Sequence, residues 1–144
     1  MLTKNVASSN DRGFQIKIDP DHSAPVAAFR NNTAVGNRLA DGVGIQMSGA
    51  LSGPVTVGGI KGNNFFGNDA STNCGLFIFN GDTNHNSLTV TATSNFWGAA
   101  SGPGADPADA AGTSDCISSA GGTVTVVTAP FATKQFKLSP PKIK

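Results

Sequence analysis

Asn63-Asn64-Phe65-Phe66-Gly67-Asn68 is the third copy of a motif, N-x-[A/F]-x-x-N, that this chain writes at nearly constant intervals. The earlier copies are Asn5-Val6-Ala7-Ser8-Ser9-Asn10 and Asn32-Thr33-Ala34-Val35-Gly36-Asn37, whose starts lie 27 residues apart, with 31 more to Asn63. A weathered fourth copy is expected after another 31, at Ser94-x-Phe96-x-x-Ala99. A period of this size marks a stacked repeat, in which each unit buries its apolar face only against its neighbours.

The rest of each unit keeps the same step. A strand pattern opens after Gly13, Gly42 and Gly75, glycines spaced by 29 and 33 residues. Alternation places Phe14, Ile16 and Ile18 on one face, then Val43, Ile45 and Met47, then Leu76, Ile78 and Asn80. That is the period-2 signature of a half-buried strand. A second strand is expected at Val26-x-Ala28, Val55-x-Val57 and Leu88-x-Val90, and the Asn motif supplies the third. Three short strands joined by turns, repeated at about thirty residues, predict an all-β fold: a short parallel β-helix of three to four coils. Like residues stack on like at ~4.8 Å, and a buried Asn column is sensible because side-chain amides both donate and accept. A leucine-rich solenoid is excluded, since the units lack its close leucines and read as helix nowhere. A closed β-sandwich would not explain three columns keeping step.

Composition agrees. All nine acidic residues are Asp, and Gly, Asn, Ser and Thr replace the long helix-forming runs. Residues 1–133 hold nine Asp against six Lys/Arg, whereas the last eleven hold Lys134, Lys137, Lys142 and Lys144 with no acid. A basic tail on a mildly acidic body suggests docking on its own domain, on a neighbouring copy or on an anionic surface. The formal charge of +1 gives no reason to expect nucleic acid. No run is apolar enough for a membrane span, and no signal peptide is visible. The chain is read as one domain, with coils over 1–98 and a loop, a capping strand and a basic tail over 99–144. Residues 99–122 read as loop, and Thr123–Thr128 as a strand that caps the last coil or lies along its side.

The segment Asn95-Phe96-Trp97-Gly98, followed by Gly102-Pro103, resembles the N-[FW]-W-G strand end and G-P-rich loop that close the last coil in bacterial right-handed parallel β-helix proteins of the pectate-lyase-like superfamily. With the three Asn motifs, the resemblance covers roughly residues 5–104. It implies a right-handed helix and an extracellular or cell-surface location. It implies no single activity, because that superfamily includes lyases, hydrolases and adhesins.

Candidate chemistry is thin. The loops after the first strand gather Asp19, Asp21 and His22, then Asp82 and His85, on one edge of the stack. Those loops lie two coils apart, about 9–10 Å between backbones, too far for acid–base partners or metal ligands without loop movement. Asp19-x-Asp21 lacks the spaced oxygens and terminal Glu of a calcium loop. The outward basic groups Lys17, Arg30 and Lys61 fall on different columns. No catalytic residue, metal or cofactor is expected. The Thr-x-Thr pattern of Leu88–Thr93 is not repeated in register, which argues against an ice-binding array.

The outward Phe77 and Phe79 follow polar positions on earlier coils, Gln15 and Lys17, then Gly44 and Gln46. Such a switch indicates a covered face: either the chain's own tail, through Val124, Val126, Phe131 or Phe136, or a partner surface that also draws on Trp97. A sugar ring stacked on the aromatics is the other occupant considered. Cys74 precedes the last clear coil and Cys116 follows it, so a disulfide would pin the loop back in an oxidising compartment; two free thiols are the alternative. The sequence therefore reads as a non-enzymatic extracellular structural or adhesive module, self-associating as an oligomer or filament through its coil ends and tail. The competing reading is a fragment of a carbohydrate-active β-helix enzyme or a carbohydrate-binding module.

Overall fold

The computed structural model describes residues 2–19, 28–37, 41–68, 74–104 and 114–137, all strand, turn and loop. In chain order the strands are β1 (Leu2–Thr3), β2 (Val6–Ser8), β3 (Phe14–Ile18), β4 (Phe29–Arg30), β5 (Thr33–Val35), β6 (Val43–Gly49) and β7 (Val55–Val57). They continue as β8 (Ile60–Lys61), β9 (Asn64–Phe66), β10 (Leu76–Asp82), β11 (Leu88–Thr91), β12 (Ile117–Gly121) and β13 (Val124–Val127). The described part is all-β, with its strands in four separate parallel sheets ordered β1-β4-β8, β3-β6-β10-β12, β7-β11-β13 and β2-β5-β9. Consecutive strands enter different sheets, and each sheet takes its strands from successive repeats.

The register follows the sequence columns. Val43 pairs with Phe14 on one side and Leu76 on the other, and Ile45 likewise with Ile16 and Ile78. Their inward side chains, with Phe29, Ile60, Phe65, Leu88 and Val90, form one apolar core. Beside it run two polar ladders. The main-chain N–H of Asn5 donates to Oδ1 of Asn32, that of Asn32 to Asn63, and that of Asn63 to Asn95. Asn10, Asn37, Asn68 and Asp115 repeat the device at the following turn. Each buried amide thus satisfies main-chain groups that the turns between strands would otherwise leave unpaired.

The second ladder accounts for the glycine column. A Cβ on Gly13 would meet the Asn37 amide, one on Gly42 the Asn68 amide, and one on Gly75 the Asp115 carboxylate. The glycine opening each long strand is the space into which the next repeat's ladder residue fits.

Several expectations are corrected. The fourth motif copy starts at Asn95, one residue later than Ser94: the Asn64–Phe96 bridge sets Trp97 beside Phe65, with ring centroids 4.9 Å apart. Ser94, with φ 57°, holds the left-handed position that Lys4, Asn31 and Gly62 hold before Asn5, Asn32 and Asn63; two added residues between Asn68 and Gly75, less one between Val90 and Asn95, make the shift. Asp115, not Ala99, closes the turn ladder. Residues 99–122 are not all loop, because Ile117–Gly121 adds a strand to the long sheet beside β10. The first three repeats also carry a two-residue strand missed in the sequence, which aligns Leu2 with Phe29 and Ile60. That strand puts Arg30 and Lys61 in a single column, not on different ones.

Residues 123–137 are held within the chain, away from Phe77 and Phe79, and the rest of the tail lies outside the described residues. β13 extends the sheet of β7 and β11, so its alternation turns Val124 and Val126 into the core. Phe131 packs over Gly102, where a Cβ would collide with the ring. Asn64 and Phe136 exchange two hydrogen bonds, at 2.9 and 3.0 Å. The cysteines are joined as a Cys74–Cys116 disulfide.

Candidate functional site

The outer face of the long sheet presents two columns: Gln15, Gly44, Phe77 and Ser118, and beside them Lys17, Gln46, Phe79 and Ala120. Between them lies a depression of about 170 Å³. Its floor is the Arg12 side chain lying over the buried Gly44, with Nε 3.3 Å from where a Cβ on that glycine would stand. Gln15 and Gln46 form one wall, with Gln15 Nε2 donating to Gln46 Oε1 at 3.2 Å. Phe77 and Phe79 form the other, Phe79 being 36% exposed. Gly81 lets the Phe79 ring lie along the strand, since a Cβ at that position would strike it. On the far side Ser118 and Ala120 are too small to cover the rings.

Arg12 occupies the position before the strand-opening glycine, and Asp41 and Cys74 hold that position in the next two repeats. The stacking brings Arg12 Nη2 to 3.9 Å from Asp41 Oδ2, while Asp41 Oδ1 accepts the Cys74 N–H at 3.1 Å. Burial pushes the Asp41 carboxyl above its ordinary pKa, opposed by the Cys74 N–H and the Arg12 charge. Arg12 escaped the sequence reading although its signal was legible: an Arg and an Asp in the same column, one repeat apart.

On the polar loop edge, Asp82 and the backbone of His85 are tied into the scaffold. Asp82 is buried and accepts from the Leu51 N–H, the Asn86 N–H and the Asn86 side chain, each at 2.8 Å. Burial alone would raise its pKa, but these donors outweigh it and hold the carboxylate below the usual value. His85, with φ 58°, gives its main-chain N–H to Asp82 O in the same turn. Asp19 is described and partly buried; Asp21 and His22 lie outside the described residues. Trp97, expected on a partner surface, is fully buried against Phe65, because the one-residue shift turns it inward.

The chain matches no family model, no curated protein and no solved structure. Its chemistry therefore rests on its own geometry. The side chains around the depression offer amide and guanidinium donors, amide acceptors and aromatic rings, but no group that exchanges protons near neutral pH. That set can bind and orient a ligand; it does not supply acid–base or nucleophilic catalysis.

Proposed function

We propose that this chain is a short right-handed parallel β-helix module of the pectate-lyase-like kind, working outside the cell by surface binding rather than catalysis. Support for the winding is the parallel, in-register pairing of successive repeats, while consecutive strands pass to different sheets. Support for an oxidising compartment is the disulfide. The observation that carries the function is a contrast between two surfaces. The loop edge spends its Asp82 carboxylate on scaffold hydrogen bonds, whereas the aromatic depression keeps unused donors, acceptors and ring faces open to solvent.

Self-association belongs to the same proposal. Leu2, Val6 and Val127 are exposed apolar residues on β1, β2 and β13, the terminal strands of three sheets. Terminal strands offer unpaired backbone groups to a second copy. Two measurements test the reading. Incubation with plant and bacterial polysaccharides should release no new reducing ends or unsaturated products above a heat-denatured control, and turnover would overturn it. Size-exclusion chromatography with light scattering should show a mass that rises with concentration; a constant monomer mass would remove the self-associating part.

A further inference from the structure

We infer that the depression on the long sheet is a subsite for one uncharged pyranose ring; the inference rests on the surface-binding reading and names the ligand class for it. Size comes first. At about 170 Å³ the space lies well below the ~300 Å³ at which pockets begin to enclose drug-sized molecules, so it takes one ring and not a peptide segment.

Chemistry narrows the choice. A pyranose has a face of C–H groups and a rim of hydroxyls, and the depression has a partner for each. Phe77 and Phe79 offer aromatic surface to the C–H face. Across the floor, the Gln15–Gln46 bond consumes one Gln15 N–H and the Gln46 carbonyl oxygen. It leaves the Gln15 carbonyl as an acceptor and the Gln46 amide as a donor for ligand hydroxyls. The guanidinium of Arg12 adds donors from the floor. Its charge is already faced by Asp41 at 3.9 Å, so the site as a whole does not call for an anionic sugar.

Two glycines show how the sheet makes room. Gly44, without a side chain in the outward column between Gln15 and Phe77, lets Arg12 lie flat against the sheet, and Gly81 lets Phe79 lie down along the strand. A single stacked ring with a few solvent-exposed hydrogen bonds should bind at roughly millimolar Kd.

The test is saturation-transfer difference NMR on the full chain with methyl glucoside, galactoside and mannoside, and with glucuronate and adenosine as counter-probes. At least one neutral pyranoside should show transfer concentrated on one C–H face. That signal should fall at least fivefold in Phe79→Ala and in Gly44→Val, the second of which lifts Arg12 off the sheet and into the depression. Far-ultraviolet circular dichroism and melting temperature should confirm that both variants fold. Absence of transfer from every neutral pyranoside, transfer only from glucuronate or adenosine, or a signal unchanged in both variants would overturn the subsite. None of those results bears on polysaccharide turnover or on association state, so the surface-binding reading stands or falls separately.

Discussion

Asn63 gives both its main-chain N–H and its side-chain amide to one oxygen, Oδ1 of Asn95, at 3.0 and 2.9 Å. Its own Oδ1 accepts the Asn32 N–H at 2.9 Å, and its amide also reaches Phe29 O at 2.9 Å. Asn63→Leu therefore orphans two buried main-chain groups on the preceding repeat, at roughly 1–3 kcal/mol each. Urea unfolding should show a midpoint lowered to match with the slope unchanged. A midpoint within error of wild type would mean that the ladder contributes nothing to stability.

Asp82 and Asp41 should respond to pH with opposite signs. The Asp82 carboxylate is held below its ordinary 3.8, so its contribution is present above that value and is lost as pH falls through the lowered one. Asp41 is shifted upward by burial, so the native state binds its proton more tightly, and stability falls as pH rises from 3.8 through the raised value. Asp82→Asn should flatten the acid limb of a melting-temperature profile taken from about pH 2 to pH 7. Asp41→Asn keeps an acceptor for Cys74 and removes a desolvated charge, so it should cost less than 1 kcal/mol at neutral pH, or stabilise. Acid limbs that are identical in wild type and Asp82→Asn would refute the assignment.

The architecture was legible wherever one residue type recurs in one environment. The columns Ile16–Ile45–Ile78 and Asn32–Asn63 repeat because in-register parallel strands give equivalent positions equivalent neighbours. Legibility failed where a repeat changes length. Two residues added between Asn68 and Gly75, less one lost between Val90 and Asn95, moved the motif to Asn95, and its partner ladder closed on Asp115, far along the chain and of a different residue type. Strands two residues long, such as Phe29–Arg30, are too short to show a period. The depression was half visible: Phe77 and Phe79 stood out as aromatics among polar columns, but nothing in the sequence said that Arg12 would lie across Gly44 of the next repeat to make its floor.

Cys74 and Cys116 close a loop across 42 residues of sequence and tie β12 to β10 near the strands' starts. Constraining a loop of that length in the unfolded chain stabilises the fold by roughly 2–4 kcal/mol. Denaturation without reductant should expose no free thiol, and the reductant-treated protein should melt lower by several degrees. Two titratable thiols in the untreated protein would rule out the bond in that sample.

Deletion of everything after Gly122 is the most severe change the fold should meet. It removes β13 and with it the core contacts of Val124 and Val126, leaving the edge of β11 unpaired. It also strips the Pro130 carbonyl from the Ser94 N–H, the Ala132 N–H from Asn95 O, and both Phe136 main-chain bonds from Asn64. Those losses together approach the 5–15 kcal/mol that typically separates folded from unfolded chains, so the truncated protein should aggregate or fail to fold. Phe131→Ala is the graded version. A half-buried ring should cost roughly 1.5–3 kcal/mol, below the 3–5 of a fully buried phenylalanine. Phe136→Ala should cost less, because it is the main chain of Phe136 that Asn64 holds. A truncated protein that stays soluble, with unchanged melting temperature and solution mass, would show that residues 123–137 add nothing to the fold.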